Sequence, residues 1–446
     1  MAENHDTPSD YAANVRAQYE AYPFPRRDPR DEARRLVVAE QECLGKLNHF
    51  CFAGRQCFGN GFRVLVAGGG TGDHTIFLAE QLREYDARVV YIDVSRASMD
   101  IARERARVRN LDNIEWHHCS ILDIESLDAG PFDLVSCTGV LHHLPEPERG
   151  LRALRSVLAS DGAMSLMLYG RTGRLPVYAG QELMRLVNAG VEDAAIKTRH
   201  ARSILQSLPD TNWLLRGSDA QKIRNQLSND ESDLNDVLLH EQDRAYNVLE
   251  IYEFLAGAEL ELVEFTSFLG DPPCFRYFYN PFAWIREPTL ATHIAGLSRP
   301  RQQAIAEAMH CMLTCHGFYA APDSANRIAP PDDLDMVPYF LYFDPGDLAQ
   351  HFRNAGEREC GLTYRHSTVN FPVGRFSADL IGAIDGSRSI GELFEATRRA
   401  HGEAVPDAEL RNDFMAFYRP LNDFDVLLLR HRDVPPFREY PLELVA

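Results

Sequence analysis

The segment RVLVAGGGTGDHTIFLAEQLREYDARVVYID, Arg63 to Asp93, restricts what this chain can fold into more than any other. It opens on Val64 to Ala67, a short apolar run of the kind found in fully buried strands. Gly68, Gly69 and Gly70 follow, then Thr71 and Gly72, and then helical spacing through Ile76, Leu78, Ala79 and Leu82. A second apolar run, Val89 to Ile92, ends on Asp93. Strand, glycine turn, helix, strand and acid, in that order, form a nucleotide-type βαβ unit.

Each part has a physical task. Glycine lacks Cβ, so the backbone can turn sharply and approach a ligand closely. The helix that follows begins with unpaired N–H groups and a partial positive charge. A carboxylate at the tip of the second strand can accept hydrogen bonds from both hydroxyls of a ribose.

The glycine spacing separates two ligand classes. A dinucleotide turn reads Gly-x-Gly-x-x-Gly and fits a pyrophosphate. Here the glycines fall at Gly68, Gly70 and Gly72, and neither Asp73 nor Thr75 completes the longer spacing, which disfavours a nicotinamide oxidoreductase. The Gly-x-Gly-x-Gly turn and the segments after it resemble the class I S-adenosylmethionine-dependent methyltransferases. The resemblance covers Gly61 to Gly170 and extends more loosely to residue 285. It implies an α/β fold with a Rossmann-like seven-stranded sheet, S-adenosylmethionine as cofactor and S-adenosylhomocysteine as product.

The same resemblance distributes roles. Gly68, Gly69, Gly70 and Gly72 would turn against the methionine part of the donor, and Asp93 would hold the ribose with Val94 beside the adenine. Ser120 and Ile121 would flank the base, while Thr138 and Gly139 would line the floor beneath the sulfonium. One position departs from the family. The acid usual at the end of the first strand is Ala67 here, with Asp73 the nearest substitute.

The remaining segments follow in family order. Ser95 reads as the N-cap of a helix through Met99, Ile101, Ala102 and Ala106, whose arginines Arg103, Arg105, Arg107 and Arg109 read as a solvated face. Ile114 to Cys119 and Phe132 to Thr138 read as strands. The phrase GVLHHLPEPERGLRALRSVLASDG resembles the segment after the fourth family strand, and Gly162 to Tyr169 reads as the fifth. His142 and His143 are candidates to take a proton from the acceptor, since imidazole titrates near neutrality. Shaping the pocket is the alternative role for both. His117 and His118, placed mid-strand, receive no chemistry.

Residues 171–247 read as a helical insertion, followed by a delayed helix, Val248 to Gly257, and a strand, Glu259 to Phe265. Arg171, Asp243 and Arg244 are candidate acceptor-binding residues and Tyr246 a candidate catalytic one, because loops at strand ends carry function. Capping is the rival reading, with Asp243 and Arg244 as a surface pair and Asn247 as an N-cap. The aromatic run Phe275 to Ile285 would supply the last strand. Ala304 to Cys315 reads as a helix carrying His310 and Cys311. A metal site built from Cys311 and Cys315 is disfavoured, because zinc ligands usually come from separated segments.

Before the core, YEAYPFPRRDP must be extended or turning. Tyr22, Phe24 and Arg26 belong either to a surface arm or to a lid over the site. Arg34 to Phe52 reads as an amphipathic helix. The organisation expected is an arm over 1–60, a methyltransferase domain over 61–285, a connecting region over 286–370 with a linker at Ala329 to Pro338, and a winged-helix-like domain over 371–446. The phrase DGSRSIGELFE in the last of these resembles PqqD-like peptide-binding modules.

Composition narrows the partners. With 446 residues the chain has room for two or three domains. It carries 46 Lys+Arg against 65 Asp+Glu, a net charge of -19, which opposes nucleic acid as partner. A protein or peptide, or a small metabolite, is the expected acceptor. A polar N-terminus, no membrane-length apolar run and nine cysteines without a framework point to a cytoplasmic protein free of membrane. The functional expectation is methyl transfer from S-adenosylmethionine. The alternative is a protein that binds the donor or its product without turnover.

Overall fold

The computed structural model describes residues 16–17, 19–215, 227, 230–240, 243–267, 275–341, 345–355, 359–364, 367–402, 405–438 and 440. In chain order, α1 (Leu44–Cys51) precedes β1 (Phe62–Ala67), α2 (Asp73–Leu82), β2 (Ala87–Asp93), α3 (Arg96–Arg109) and β3 (Ile114–His118). Then come β4 (Phe132–Thr138), α4 (Pro147–Ser156), β5 (Leu158–Tyr169), α5 (Leu175–Val187), α6 (Ala194–Ser207), α7 (Glu231–Leu238) and α8 (Val248–Ala256). They are followed by β6 (Glu261–Thr266), α9 (Pro288–Ala295), α10 (Arg299–His310), β7 (Cys315–Ala321) and β8 (Met336–Phe340). The last elements are α11 (Pro345–Ala355), β9 (Glu359–Tyr364), β10 (Ser367–Pro372), α12 (Ser377–Ala383), α13 (Ile390–His401), α14 (Asp407–Asp423) and β11 (Leu427–His431).

The seven-stranded sheet has the order β3-β2-β1-β4-β5-β7-β6. β1 pairs in parallel with β2 and β4, so the order reverses at β1, where open α/β sheets bind ligands. Val64, Leu65 and Ala67 are fully buried, as a central parallel strand covered on both faces requires. Ile76, Leu78, Ala79 and Leu82 of α2 are likewise fully buried, which gives the apolar periodicity its physical cause.

By contact, the described residues group into two compact units. One comprises those of Met1–Ala39, Asn60–Glu259 and Cys311–His316, and the other those of Glu40–Gly59, Leu260–His310 and Gly317–Ala446. In the first, α5, α6 and α7 of the 171–247 insertion share an apolar core of Met184, Ala201, Leu205, Leu234 and Leu238. In the second, β6 and β7 pair antiparallel, as do β8 and β11. Three helices and a strand, α12, α13, α14 and β11, occur there in the order expected of the C-terminal segment. Ser389 caps α13 in a reciprocal capping box with Glu392.

Several element boundaries differ from the expectations. Arg34 to Phe52 is not one helix. A 3₁₀ turn at Pro29–Ala33 is pinned by Glu32 to Arg105, and only Leu44–Cys51 is α-helical, buried on every side rather than amphipathic. Phe275 to Ile285 forms the 3₁₀ turns Arg276–Tyr279 and Pro281–Ala283, because Pro281 has no N–H to give a ladder. The remaining strand of the sheet is β7 instead. The helix expected to reach Cys315 stops at His310, since Cys311 takes a φ of 52°, and Cys315 begins β7. Part of the Ala329 to Pro338 stretch is strand β8, with Pro338 opposite Leu429.

The second unit is held by a buried charge network. Lys46 Nζ on α1 lies 2.8 Å from Glu40 and 3.1 Å from Asp425, with Lys46 fully buried. Arg276 Nε donates to the other Asp425 oxygen at 2.9 Å, and Ser267 N donates to Asp425 at 2.8 Å. Burial raises the Asp425 carboxyl, but Lys46 and then Arg276 outweigh it and hold the group down to about 2. Asp425→Ala would leave Lys46 with Glu40 alone and take from Arg276 the partner of its Nε, and denaturant titration of the full chain should show a loss of about 3 kcal/mol. Because the folded value lies below the unfolded one near 4, this contribution should fade as pH falls from about 4 towards 2.

Candidate functional site

The site begins at the carboxyl ends of β1, β2, β4 and β5. Gly68, Gly70 and Gly72 have φ of 73°, 52° and 104°, a left-handed succession that side chains resist. Space is closed as well. A Cβ on Gly68 would come within 2.5 Å of Val140 Cγ2, and one on Gly69 within 2.2 Å of the Tyr91 ring. The glycines let the turn lie against the loop after β4.

Asp93 closes this turn. Its Oδ2 accepts from Gly70 N and its Oδ1 from Ser95 N, both at 2.8 Å. Burial raises its carboxyl above the usual value, opposed by those backbone N–H groups. Each oxygen keeps lone-pair capacity for a further donor. Val94 O accepts from His118 Nε2 at 2.8 Å. Ser120 Oγ accepts from Leu122 N at 3.2 Å, capping the turn in which Ile121 is buried. Gly139 has a φ of 75°, and the buried Thr138 hydroxyl has no hydrogen-bond partner among the described residues. The cofactor candidates thus fall on neighbouring strand ends and loops.

The N-terminal arm crosses the glycine turn. Phe24 O accepts from Thr71 N at 3.3 Å, Pro25 O accepts from Thr71 Oγ1 at 2.7 Å, and a Cβ on Gly70 would meet Phe24 O at 2.8 Å. Glu20 accepts from the N–H groups of Arg96 and Ala97 at the start of α3, at 2.8 and 3.0 Å. Arg26 is exposed and Tyr22 half-buried, whereas Arg27 makes the fixed contact, bidentate to Asp73 at 2.9 and 2.6 Å. Arg105 joins the same carboxylate at 2.7 Å and reaches Glu32 at 2.6 Å. Arg105 is therefore not on a solvated face. It is 1% exposed, with Glu32, Asp73 and the Thr71 carbonyl accepting from its guanidinium. Burial raises the Asp73 carboxyl, but Arg27 and Arg105 hold it down to about 2.

A second cluster lies beyond β4 and β5. The His142 ring stacks on Tyr169 with centroids 3.8 Å apart, and His143 stacks on His240 at 3.9 Å. Tyr169 Oη donates to Asp236 Oδ2 at 3.0 Å and Tyr19 Oη to Asp236 Oδ1 at 3.2 Å. Burial pushes the His142 imidazole well below its ordinary value, with the neighbouring His143 and Arg174 adding to the effect. Arg174 lies over Tyr169, 3.5 Å from the centroid, and pairs with Asp243 at 3.1 Å. Asp243 and Arg244 do not pair as a surface couple. Asp243 faces the buried Arg174, while Arg244 reaches Glu148 at 2.8 Å. Tyr246 is buried with its hydroxyl unpartnered among the described residues, and Arg171 pairs with Glu250 at 2.6 Å. Asn247 caps α8 in a capping box, as the capping reading expects.

Sequence reasoning did not single out Tyr19, Tyr169 or Asp236. The i, i+4 spacing of Asp236 and His240 was the one local signal available.

The strand order with the glycine turn and the acid ending β2 defines a class I methyltransferase fold. Residues 65–164 match the family model described as Methyltransferase domain, and the sheet around them has the class I methyltransferase fold. An uncharacterized protein of Synechococcus sp. is 31% identical over 263 residues, covering 58% of this chain and 61% of that protein. The tRNA 5-carboxymethoxyuridine methyltransferase of Escherichia coli is 36% identical over 114 residues, 25% of this chain and 42% of that enzyme. The chain thus spans about three fifths and two fifths of these two relatives. PKMT2 from Rickettsia typhi in complex with AdoHcy superposes with a TM-score of 0.58 at 15% identity, covering 83% of this chain and 71% of that one, a likeness of fold. Among the described residues no helix is long and apolar enough to cross a membrane.

The Arg27–Asp73–Arg105 contact should hold the arm closed. In Asp73→Ala, opening eased by ~1–2 kcal/mol should speed tryptic cleavage after Arg26 or Arg27 about 5–30-fold, read by mass spectrometry of limited digests.

Proposed function

We propose that this protein transfers the methyl group of S-adenosylmethionine to an acceptor, and that the acceptor is a protein or peptide. One observation carries the first part: the left-handed glycine turn and the half-buried Asp93 meet at the reversal point of the sheet. The match of residues 65–164 to a methyltransferase domain and the AdoHcy named for the Rickettsia neighbour support the same donor. In this reading Gly68, Gly69, Gly70 and Gly72 seat the methionine part and Asp93 binds the ribose beside Val94. Ser120 and Ile121 border the adenine, with Thr138 and Gly139 beneath the sulfonium.

The acceptor's lone pair forms a bond to the methyl carbon as the S–C bond breaks. The bonding pair stays on sulfur, leaving S-adenosylhomocysteine. A sulfonium is already electrophilic, so alignment and exclusion of water supply most of the effect. The acceptor proton passes to solvent or to an imidazole, and the deeply desolvated His142 is poorly suited to hold it. Tyr22 and Phe24 on the arm, with Arg171, Asp243, Arg244 and Tyr246 on the insertion side, border the acceptor. The net charge of -19 favours a protein or peptide over a nucleic acid, although one relative is a tRNA methyltransferase.

The second reading, donor or product binding without turnover, draws on Ala67 and on an Asp73 already engaged by two arginines. Calorimetry with S-adenosylmethionine and S-adenosylhomocysteine separates the outcomes. Asp93→Asn keeps the shape but loses charge-assisted hydrogen bonds worth ~1.5–3 kcal/mol, so affinity should fall about 10–100-fold. Incubation with labelled donor and native extract should place label in macromolecules. Binding without any label transfer would favour the second reading, and label in extractable metabolites would reassign the acceptor.

A further inference from the structure

We propose that His143, Asp236 and His240 form a binding site for one divalent transition-metal ion. All three side chains are buried. A ring nitrogen of each histidine and a carboxylate oxygen of Asp236 lie within 4.8 Å of one another. Shifts of about 1 Å per side chain would contract that triangle onto metal–ligand bonds of ~2.0–2.2 Å. The rings of His143 and His240 are stacked, 26° from parallel with centroids 3.9 Å apart, so one of them must turn about χ2 out of the stack for both lone pairs to reach one ion.

The donor set selects the metal class. Two imidazoles and one carboxylate, with no thiolate among them, suit zinc, iron(II), cobalt(II) or nickel(II) rather than magnesium or calcium. Three protein ligands leave at least one coordination position open.

Two independent observations support an occupant. Metal-bound carboxylates are normally oriented by outer hydrogen bonds, and here Tyr169 and Tyr19 donate one to each oxygen of Asp236. Next to His143, with ring centroids 4.3 Å apart, stands His142, fully buried and with neither ring nitrogen hydrogen-bonded among the described residues. An orphaned buried imidazole points to a missing polar neighbour such as an ion or its water. Arg174 is a cation in the neighbourhood of Asp236 and is paired with Asp243, which moderates its repulsion of a metal.

Such an ion would tie the loop after β4 to the end of α7, with the arm's Tyr19 fastened to the same carboxylate. The site stands on these side chains alone and does not depend on the methyl-transfer reading.

The test uses the full chain after chelator treatment and dialysis, titrated with cobalt(II) and zinc(II) chloride. One equivalent per chain is expected, with visible cobalt d–d bands and without the intense near-ultraviolet absorption of thiolate ligation. Asp236→Asn and His240→Ala should abolish the bands, while the exposed Cys57→Ser and Cys311→Ser should leave them unchanged. Tyr169→Phe keeps the ring packing and removes an outer donor, so metal affinity should fall about 10–100-fold. Circular dichroism establishes that each variant is folded. No uptake by the folded wild type, or uptake that Asp236→Asn and Tyr169→Phe leave intact, overturns the proposal.

Discussion

The backbone at Gly68 to Gly72 sits closer to its neighbours than any residue with a side chain would allow, and the mouth of the first unit is arranged around that approach. Val140 from the loop after β4, the Tyr91 ring from β2 and the Phe24 carbonyl from the arm each occupy the space a Cβ would need. The turn thereby gathers the arm, the second strand and the fourth-strand loop at one place. Asp93 then fixes the conformation by accepting from Gly70 N on one side and Ser95 N on the other. A carboxylate that shapes the turn and keeps lone-pair capacity couples ligand capacity to local fold.

The arm is bound by charge rather than by apolar packing. Arg27, Asp73, Arg105, Glu32 and Arg109 form a continuous chain of guanidinium and carboxylate groups running from the arm across α2 to α3. Removing any member leaves a partner desolvated, so the chain behaves as a unit. Arg105 shows why such a network is hard to read in advance. Its neighbours Arg103 and Arg107 follow the solvated-helix pattern, and the two-residue offset puts Arg105 on the other side with Ala102 and Ala106, yet spacing alone does not say what would match a charge there. The information lies in Glu32 and Asp73, which only the fold brings beside it.

What was legible in the sequence follows the range of the interactions. The βαβ unit, the glycine turn, the Ser95 and Asn247 caps and the helices of the insertion are set by neighbours a few residues apart. Periodicity and capping rules report such neighbours directly. The strand expected at Phe275 to Ile285 shows the opposite case. Its aromatic residues suit a strand, but Pro281 and the burial of Arg276 on Asp425 impose 3₁₀ turns, and β7 supplies the sheet's other strand from farther along. The cluster of His143 with Asp236 and His240 likewise joins segments more than ninety residues apart.

The buried aspartates divide into two kinds, and the division separates architecture from chemistry. Asp73 and Asp425 both face cationic side chains, which overcome the cost of burial and hold each carboxyl near 2. These groups are saturated: their charge is already matched, and a ligand would have to displace an arginine or a lysine to reach them. Asp93 and Asp236 are raised instead, because burial outweighs what surrounds them. Asp93 is met by backbone N–H groups and Asp236 by two phenols, with the His240 imidazole near it. A desolvated carboxylate served mainly by neutral donors is costly to maintain and gains most from an added donor or cation. Ribose hydroxyls would meet that need at Asp93, and a metal ion would meet it at Asp236. On these two proposals, the binding residues would be the ones the protein has left electrostatically incomplete.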